Sequence, residues 1–429
     1  MSLKIRSLIA GDGERFSQLY LSQESWPLFY PTAFITRSIR LSTTHATQLV
    51  HLEAIKRALE WADQNNIDLE VRFQKHEFLQ PHEIDSLTRS LNTARRGKPG
   101  KTIGESKGNT YVSYAARYLK WLAEELITDS YRSEVRNMID LQHKRLVDKL
   151  ISKTGSQSAR RQRILNEHLS EATRAQLKSL WIEPFTGLFR SADRGSRLRT
   201  IVMLRILYET GMRRGEALSL KLKNVSESSG GLSARLEIER NHHDEFDSRV
   251  AQPVAKTEGR IVPITSELEK QLSEYIAQYR ADVPGVSFDD EGFIFVTHRA
   301  GRGQGKPLSI SNCDQALASL KKNFPALLEL HFHLLRHDWN YRFSKEADAN
   351  KIDAEKESEV RNILMGWSLQ SEMAAIYNAR HVQEQSLSIG LKVASTTERP
   401  TSSSPSIRDG AGTGPESEPL RRQRQIKRT

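Results

Sequence analysis

LRTIVMLRILYETG, residues 198–211, followed at once by MRRGEALSL at 212–220, is the stretch on which the reading of this chain turns. The first part is strongly helical, and Gly211 stops it, since glycine takes the left-handed backbone that ends helices. Two arginines, Arg213 and Arg214, come next, with Glu216 three positions after the first. Downstream, KLKNVSES leads into ARLEIER at 234–240, whose alternation predicts a strand. VAKTEGRIVPI at 254–264 reads as two short strands around a Thr-Glu-Gly turn that carries Lys256, and GFIFV at 292–296 as one more. The sheet is expected to be small and antiparallel. Helices return at SNCDQALASLKKNF, around HFHLLRHDWNYRFSKEA, and at VRNILMGW followed by SEMAAIYNARHVQEQ.

Upstream of this stretch the pattern is helical throughout. Leu41, Leu49, Leu52, Ile55, Leu59, Trp61 and Ala62 recur at helical spacing, HEIDSLTRSLN at 82–92 adds a second helix, and TYVSYAARYLKWLAEEL at 110–126 a third. Between the last two lies ARRGKPGKTIGESKGN, a basic loop in which Lys98, Lys101 and Lys107 are placed to meet phosphate. Tyr111, Tyr114, Tyr118 and Trp121 read as core packing rather than as a base-stacking platform. The polar, basic run that begins at Ile151 marks the main domain boundary. The expected organisation is an N-terminal extension at 1–40, a small helical domain at 41–165, a mixed and mostly helical domain at 166–388, and a disordered tail with a basic tip at 389–429.

Composition narrows the function. At 429 residues the chain has length for about two to four domains. Its 64 Lys and Arg against 53 Asp and Glu leave a formal charge of +11, which points to a polyanionic partner. A single cysteine, Cys313, excludes an internal disulfide and a multi-thiolate metal site, and fits a reducing compartment. No run approaches the roughly 18 apolar residues of a membrane span, and the start lacks the apolar stretch of a signal peptide, so a cytoplasmic, nucleoid-associated protein with no membrane attachment is expected. There is no GxxxxGK[ST] loop; the glycines of GRGQGKP at 301–307 lack its spacing and its hydroxyl. His242-His243-Asp244 reads as a polar loop, and His333 with His337 lacks a clear third zinc ligand.

Taken singly, Arg213 with Arg214 could be a solvated helix-end charge pair, Lys256 could be an exposed turn lysine, and Trp367 and Tyr377 could be core aromatics. In their order and spacing, the Thr-Gly-Met-Arg-Arg-Gly-Glu box, Lys256 in its turn, His-Leu-Leu-Arg-His at 333–337, Met-Gly-Trp at 365–367 and Tyr377 resemble the catalytic domain of the tyrosine recombinase (phage integrase) family over roughly 170–385. The helical region before it resembles that family's core-binding domain. Trp367 stands where the family more often carries histidine.

The resemblance implies a mainly α fold with a small antiparallel sheet, clamped around duplex DNA, and a catalytic set of Tyr377, Arg213, Lys256, His333, Arg336 and Trp367, with Glu216 and His337 behind it. The chemistry suits the residue types. Attack on a phosphodiester builds negative charge on the non-bridging oxygens, which guanidinium forks hold bidentately without a metal. Tyr377 would be the nucleophile, His333 the base, Lys256 the acid for the departing 5′ oxygen, and Trp367 an N–H donor to phosphate. Glu216 would orient an arginine, since a carboxylate facing phosphate would repel it. No cofactor, metal or nucleotide is called for, because the phosphotyrosyl ester stores the energy of the broken bond. The implied partners are double-stranded DNA, three further copies of the chain on two DNA sites, and a possible host DNA-bending protein. A tyrosine-type (IB-like) topoisomerase and a catalytically inactive DNA-binding relative are the alternatives.

Overall fold

The computed structural model describes residues 2–95, 100–151, 167–255, 258–368 and 373–395. Two compact units divide the chain, Met1–Val382 and Gln383–Thr429.

Within the first unit, apolar side chains gather into two large cores. One is built from residues 3 to 147. A hairpin opens it: β1 (Leu3–Ile9) pairs antiparallel with β2 (Arg15–Leu21), Leu3 opposite Leu21, around a turn at Gly11–Gly13. Then come α1 (Phe29–Phe34), which continues as a π-helical turn at Ile35–Ile39, α2 (His45–Gln64), α3 (Leu69–Gln74), α4 (Pro81–Asn92), α5 (Glu105–Leu126) and α6 (Ser133–Val147). α5 is central: Val112, Ala115, Ala116, Leu119, Leu122 and Ala123 fall at helical spacing and are all buried. Each large apolar side chain so buried is worth about 1.5–3 kcal/mol. Tyr111 and Tyr118 are buried in the same core and Tyr114 and Trp121 pack against it, so the aromatic run is packing. Residues 1–40, which the sequence sets apart as an extension, supply Leu3, Leu19, Phe34, Ile35 and Ile39 to this core.

The second core spans residues 169 to 335. α7 (Glu171–Ile182) leads to α8 (Arg194–Thr210), which is buried on almost every side, as its apolar sequence demands. Around α8 lie α9 (Arg214–Leu218), the antiparallel sheet β3 (Val225–Ser226), β4 (Arg235–Ile238) and β5 (Arg260–Pro263), α10 (Ser266–Glu274), α11 (Ile310–Asn323), α12 (Phe332–Ala349) and α13 (Ala354–Met365). The fold is thus mostly helical with small antiparallel sheets, as the sequence predicts. Two strand readings are corrected. Of the first strand read in 254–264, Val254 and Ala255 are not in a strand and residues 256–257 lie outside the described residues, while β5 pairs with β4, with Leu236 opposite Val262. Phe293 and Val296 make only single bridges, to Lys221 and Pro307, so GFIFV is a buried crossing segment rather than a strand of the sheet.

α14 (Met373–Ser395) closes the described chain. In the second unit Leu387, Ile389, Leu391 and Val393 are exposed. Of the tail expected from residue 389, Ile389–Ser395 are helical, and residues 396–429 lie outside the described residues. Among the described residues no helix is long and apolar enough to cross a membrane.

Candidate active site

Gly211 organises the site. It ends α8 with a φ of 65°, and a Cβ there would lie 2.8 Å from the Trp339 ring and 2.9 Å from the Met365 methyl, so neither the backbone nor the space admits a side chain. The turn it makes sets Arg213 as the residue that precedes α9. The Arg213 backbone N–H donates to Glu216 Oε2 at 2.9 Å and its guanidinium to Oε1 at 3.1 Å. These two bonds to one carboxylate fix the arginine's root while 26% of its side chain stays exposed.

Glu216 is buried, and a second guanidinium reaches it from the sheet: Arg260 on β5 donates Nη2 to Oε2 at 2.8 Å and Nε to the Leu364 carbonyl at 2.7 Å. Burial pushes the Glu216 carboxyl up, but the charge and hydrogen bond of Arg260, the Arg213 N–H and the charge of Arg336 together hold it below the ordinary carboxylate value. It is therefore an anion at neutral pH, one carboxylate among three guanidinium groups. The cluster keeps a net positive charge.

Arg336 opens the second turn of α12 and is 1% exposed. Its Nη1 donates to the Gly211 carbonyl at 2.7 Å, which ties the second arginine to the turn that carries the first. Its guanidinium carbon stands 5.2 Å over the Trp367 ring. One turn further on, Asn340 donates to the Arg336 carbonyl at 2.9 Å and contacts the Met365 sulfur at 3.7 Å. Trp367 follows the left-handed Gly366 that ends α13, and packs with Met365 and Trp339.

His333 and His337 lie on successive turns of α12 with ring centroids 4.3 Å apart, edge to face. His333 is the exposed one, and His337 Nε2 lies 3.2 Å from a Glu167 carboxylate oxygen. Burial, then the charges of His337 and Arg336, push His333 down to about 4; burial, then His331 and Arg336, do the same to His337. Both imidazoles are thus neutral at pH 7, and a neutral imidazole keeps one nitrogen able to accept a proton.

Arg213, Glu216, His333, Arg336, His337 and Trp367 are therefore drawn into one neighbourhood by three left-handed or capping turns. Lys256 lies outside the described residues. Its flanks are placed: Ala255 is buried, and the Glu258 N–H donates to the Gly366 carbonyl at 3.3 Å, next to Trp367. Tyr377 falls on α14, ten residues past Trp367, and its side chain lies outside the described ones. Lys98 also lies outside the described residues, while Lys101 and Lys107 are exposed in the first half of the chain and are not part of this cluster. Arg260 was missed in the sequence. The signal was there: it falls in phase with Val262 on an alternating strand, so it points inward, and an inward arginine needs a carboxylate. Among the described residues no group of three His, Cys, Asp or Glu could hold a metal ion.

The stretch that contains this cluster can be compared with known proteins. Residues 188–383 match the phage integrase family. This segment is similar to that family's domain. Arg213, Glu216, Arg260, His333, Arg336, Trp367 and Tyr377 all lie inside it. Among curated proteins no sequence matches the chain. Solved structures similar to it include the XerH site-specific recombinase bound to a palindromic difH substrate, at 16% identity and a TM-score of 0.40, covering 74% of this chain and 85% of that one. The Tn1549 transposon integrase (residues 82–397) with circular intermediate DNA matches at 16% identity and 0.45, covering 83% and 97%. A lambda integrase dimer on a COC′ core site matches at 14% and 0.34, covering 87% and 95%.

Proposed function

We propose that the chain is a site-specific tyrosine recombinase that cuts and rejoins duplex DNA to integrate or excise a mobile element. The observation that carries this reading is the pairing of Arg213 and Arg336 through the Gly211 turn and Glu216, in a net-positive cluster inside the segment that matches the phage integrase family. A five-coordinate phosphorus gains one negative charge over the diester, and the two guanidinium groups of Arg213 and Arg336 would hold it. Glu216 orients Arg213 and does not touch DNA. Trp367 donates its indole N–H to a phosphate oxygen and stacks on Arg336. Neutral His333 takes the proton of Tyr377, with His337 behind it.

Tyr377 attacks phosphorus, the P–O5′ bond breaks, and Lys256 gives a proton to the departing 5′ oxygen. A 3′-phosphotyrosyl ester and a free 5′-OH result. The 5′-OH of a partner duplex then attacks the ester and expels tyrosine, so bonds broken equal bonds made and no nucleotide is consumed. Four copies of the chain on two sites would pass through a Holliday junction, with a DNA-bending host protein as a possible aid. Residues 41–165 serve as the core-binding domain, in which Lys98, Lys101 and Lys107 contact backbone phosphate, and the work is done on cytoplasmic DNA. Suicide DNA carrying the flanks of the chain's own gene tests this: after SDS quenching, wild type forms a covalent adduct and Tyr377→Phe forms none. An adduct in both would move the nucleophile elsewhere.

A further inference from the structure

The connection from β4 to β5 runs along α9 from both ends. Arg249 donates to the Leu218 carbonyl at the end of α9 at 3.1 Å and to the Leu308 carbonyl at 2.7 Å, and is held by a bidentate pair with Asp247. At the other end of α9, a Cβ on Gly215 would come within 3.3 Å of the Val254 carbonyl. Residues 241–250 have no strand partner, so their backbone carbonyls must be satisfied by something else.

Arg15, at the start of β2, supplies it from more than 200 residues away. Its guanidinium donates to the carbonyls of Asp244 at 3.0 Å and Arg249 at 3.3 Å, and to that of Asp247. The side chain is buried, and its hydrogen bonds go to carbonyl oxygens. The turn beside it fits as closely: Gly13, at φ 81°, would drive a Cβ to 2.6 Å from the Glu245 nitrogen. On the hairpin's other side Glu14 is clamped by Arg40, and Ser17 bonds His45 at 2.8 Å. The loop is anchored in turn by Lys221, which bonds Asp244 and Glu291.

We infer that Arg15 is a positioning residue for strand cleavage, through which the N-terminal hairpin holds the 241–250 loop against α9 and so sets the geometry of Arg213. The inference rests on the recombinase reading above and extends the working site beyond the family domain. A hairpin that did not dock on this loop would need neither a buried guanidinium nor a steric glycine at its tip.

The test uses full-length protein on suicide DNA in two forms, a native phosphodiester at the cleaved position and a neutral methylphosphonate. The neutral linkage lowers the charge that Arg213 must hold, so the variant Arg213→Ala should lose less on it than on the native form. Arg15→Lys and Gly13→Ala should slow native cleavage by at least about tenfold, bind DNA as wild type does, and recover on the methylphosphonate in parallel with Arg213→Ala. Gly13→Ala keeps the test alive if Arg15→Lys does not fold, and Arg6→Ala, on the same hairpin away from the loop, should cleave normally. Equal slowing on both substrates, or native rates in both variants, would overturn the inference. Failure of wild type itself to form any adduct would instead overturn the recombinase reading, so the two failures are distinct.

Discussion

The two cores of the first unit answer to different constraints. Residues 3–147 bury side chains at plain helical spacing, and any apolar residue of similar size would serve at Leu119 or Leu122. In residues 169–335 the same kind of helix, α8, ends against a cluster of guanidinium groups that water would solvate better than protein does. Arg260 and Arg336 are buried with Glu216, at a desolvation cost that only their close hydrogen bonds offset. The contrast teaches that in this molecule chemistry shows itself by what is buried at a cost, while the apolar helix faces of the first core show only that the chain folds.

Substitutions can break this comparison. The largest effect is expected for Arg336→Ala, which should lower the cleavage rate by about 100-fold or more, the scale for loss of one transition-state donor. Single-turnover adduct formation measures it, and a rate within about threefold of wild type would remove Arg336 from the chemistry. Glu216→Gln keeps shape but leaves Arg260 facing a neutral amide. It should cost about 3–5 kcal/mol in urea unfolding, the scale for breaking a buried pair, together with a loss of cleavage. Next comes the core pair: Leu119→Ala and Leu207→Ala should each cost about 2–5 kcal/mol. Leu119→Ala should leave the cleavage rate of the folded protein unchanged, whereas Leu207→Ala, one turn before Gly211, should reduce it.

The smallest effect is on the pH dependence of stability. His333 and His337, at about 4 when folded, take up protons at a higher pH in the unfolded chain, so stability should rise with pH between about 4 and 6.5. The depressed Glu216 adds stability that is full above the ordinary carboxylate value and lost as pH falls through its folded one. Both slopes have the same sign. Melting temperatures across this range should fall toward acid for wild type, and the slope above pH 5 should flatten in a His333→Gln, His337→Gln double variant.

Much of this was legible in the sequence. The periodicity of residues 110–126 and 198–210 gives α5 and α8, because a buried helix face must be apolar every third or fourth residue. Gly211 was legible as a stop. What the sequence did not reveal was set by contacts between distant segments. The β1–β2 hairpin, in which Leu3 and Leu19 face the core across a Gly-Asp-Gly turn, alternates too briefly to stand out from its polar neighbours. GFIFV is apolar because it is buried, not because it pairs in a sheet. Arg15 and Arg260 carry no motif; one finds loop carbonyls and the other a buried carboxylate only after the chain has folded.

The central claim is that the Arg213 and Arg336 cluster serves a tyrosine nucleophile acting on DNA. The most direct measurement is covalent adduct formation by wild type, Tyr377→Phe and Arg336→Ala on one suicide substrate that carries the flanks of the gene. The account predicts an adduct in wild type, none in Tyr377→Phe, and one formed about 100-fold more slowly in Arg336→Ala. Equal adduct yields and rates in all three would contradict it.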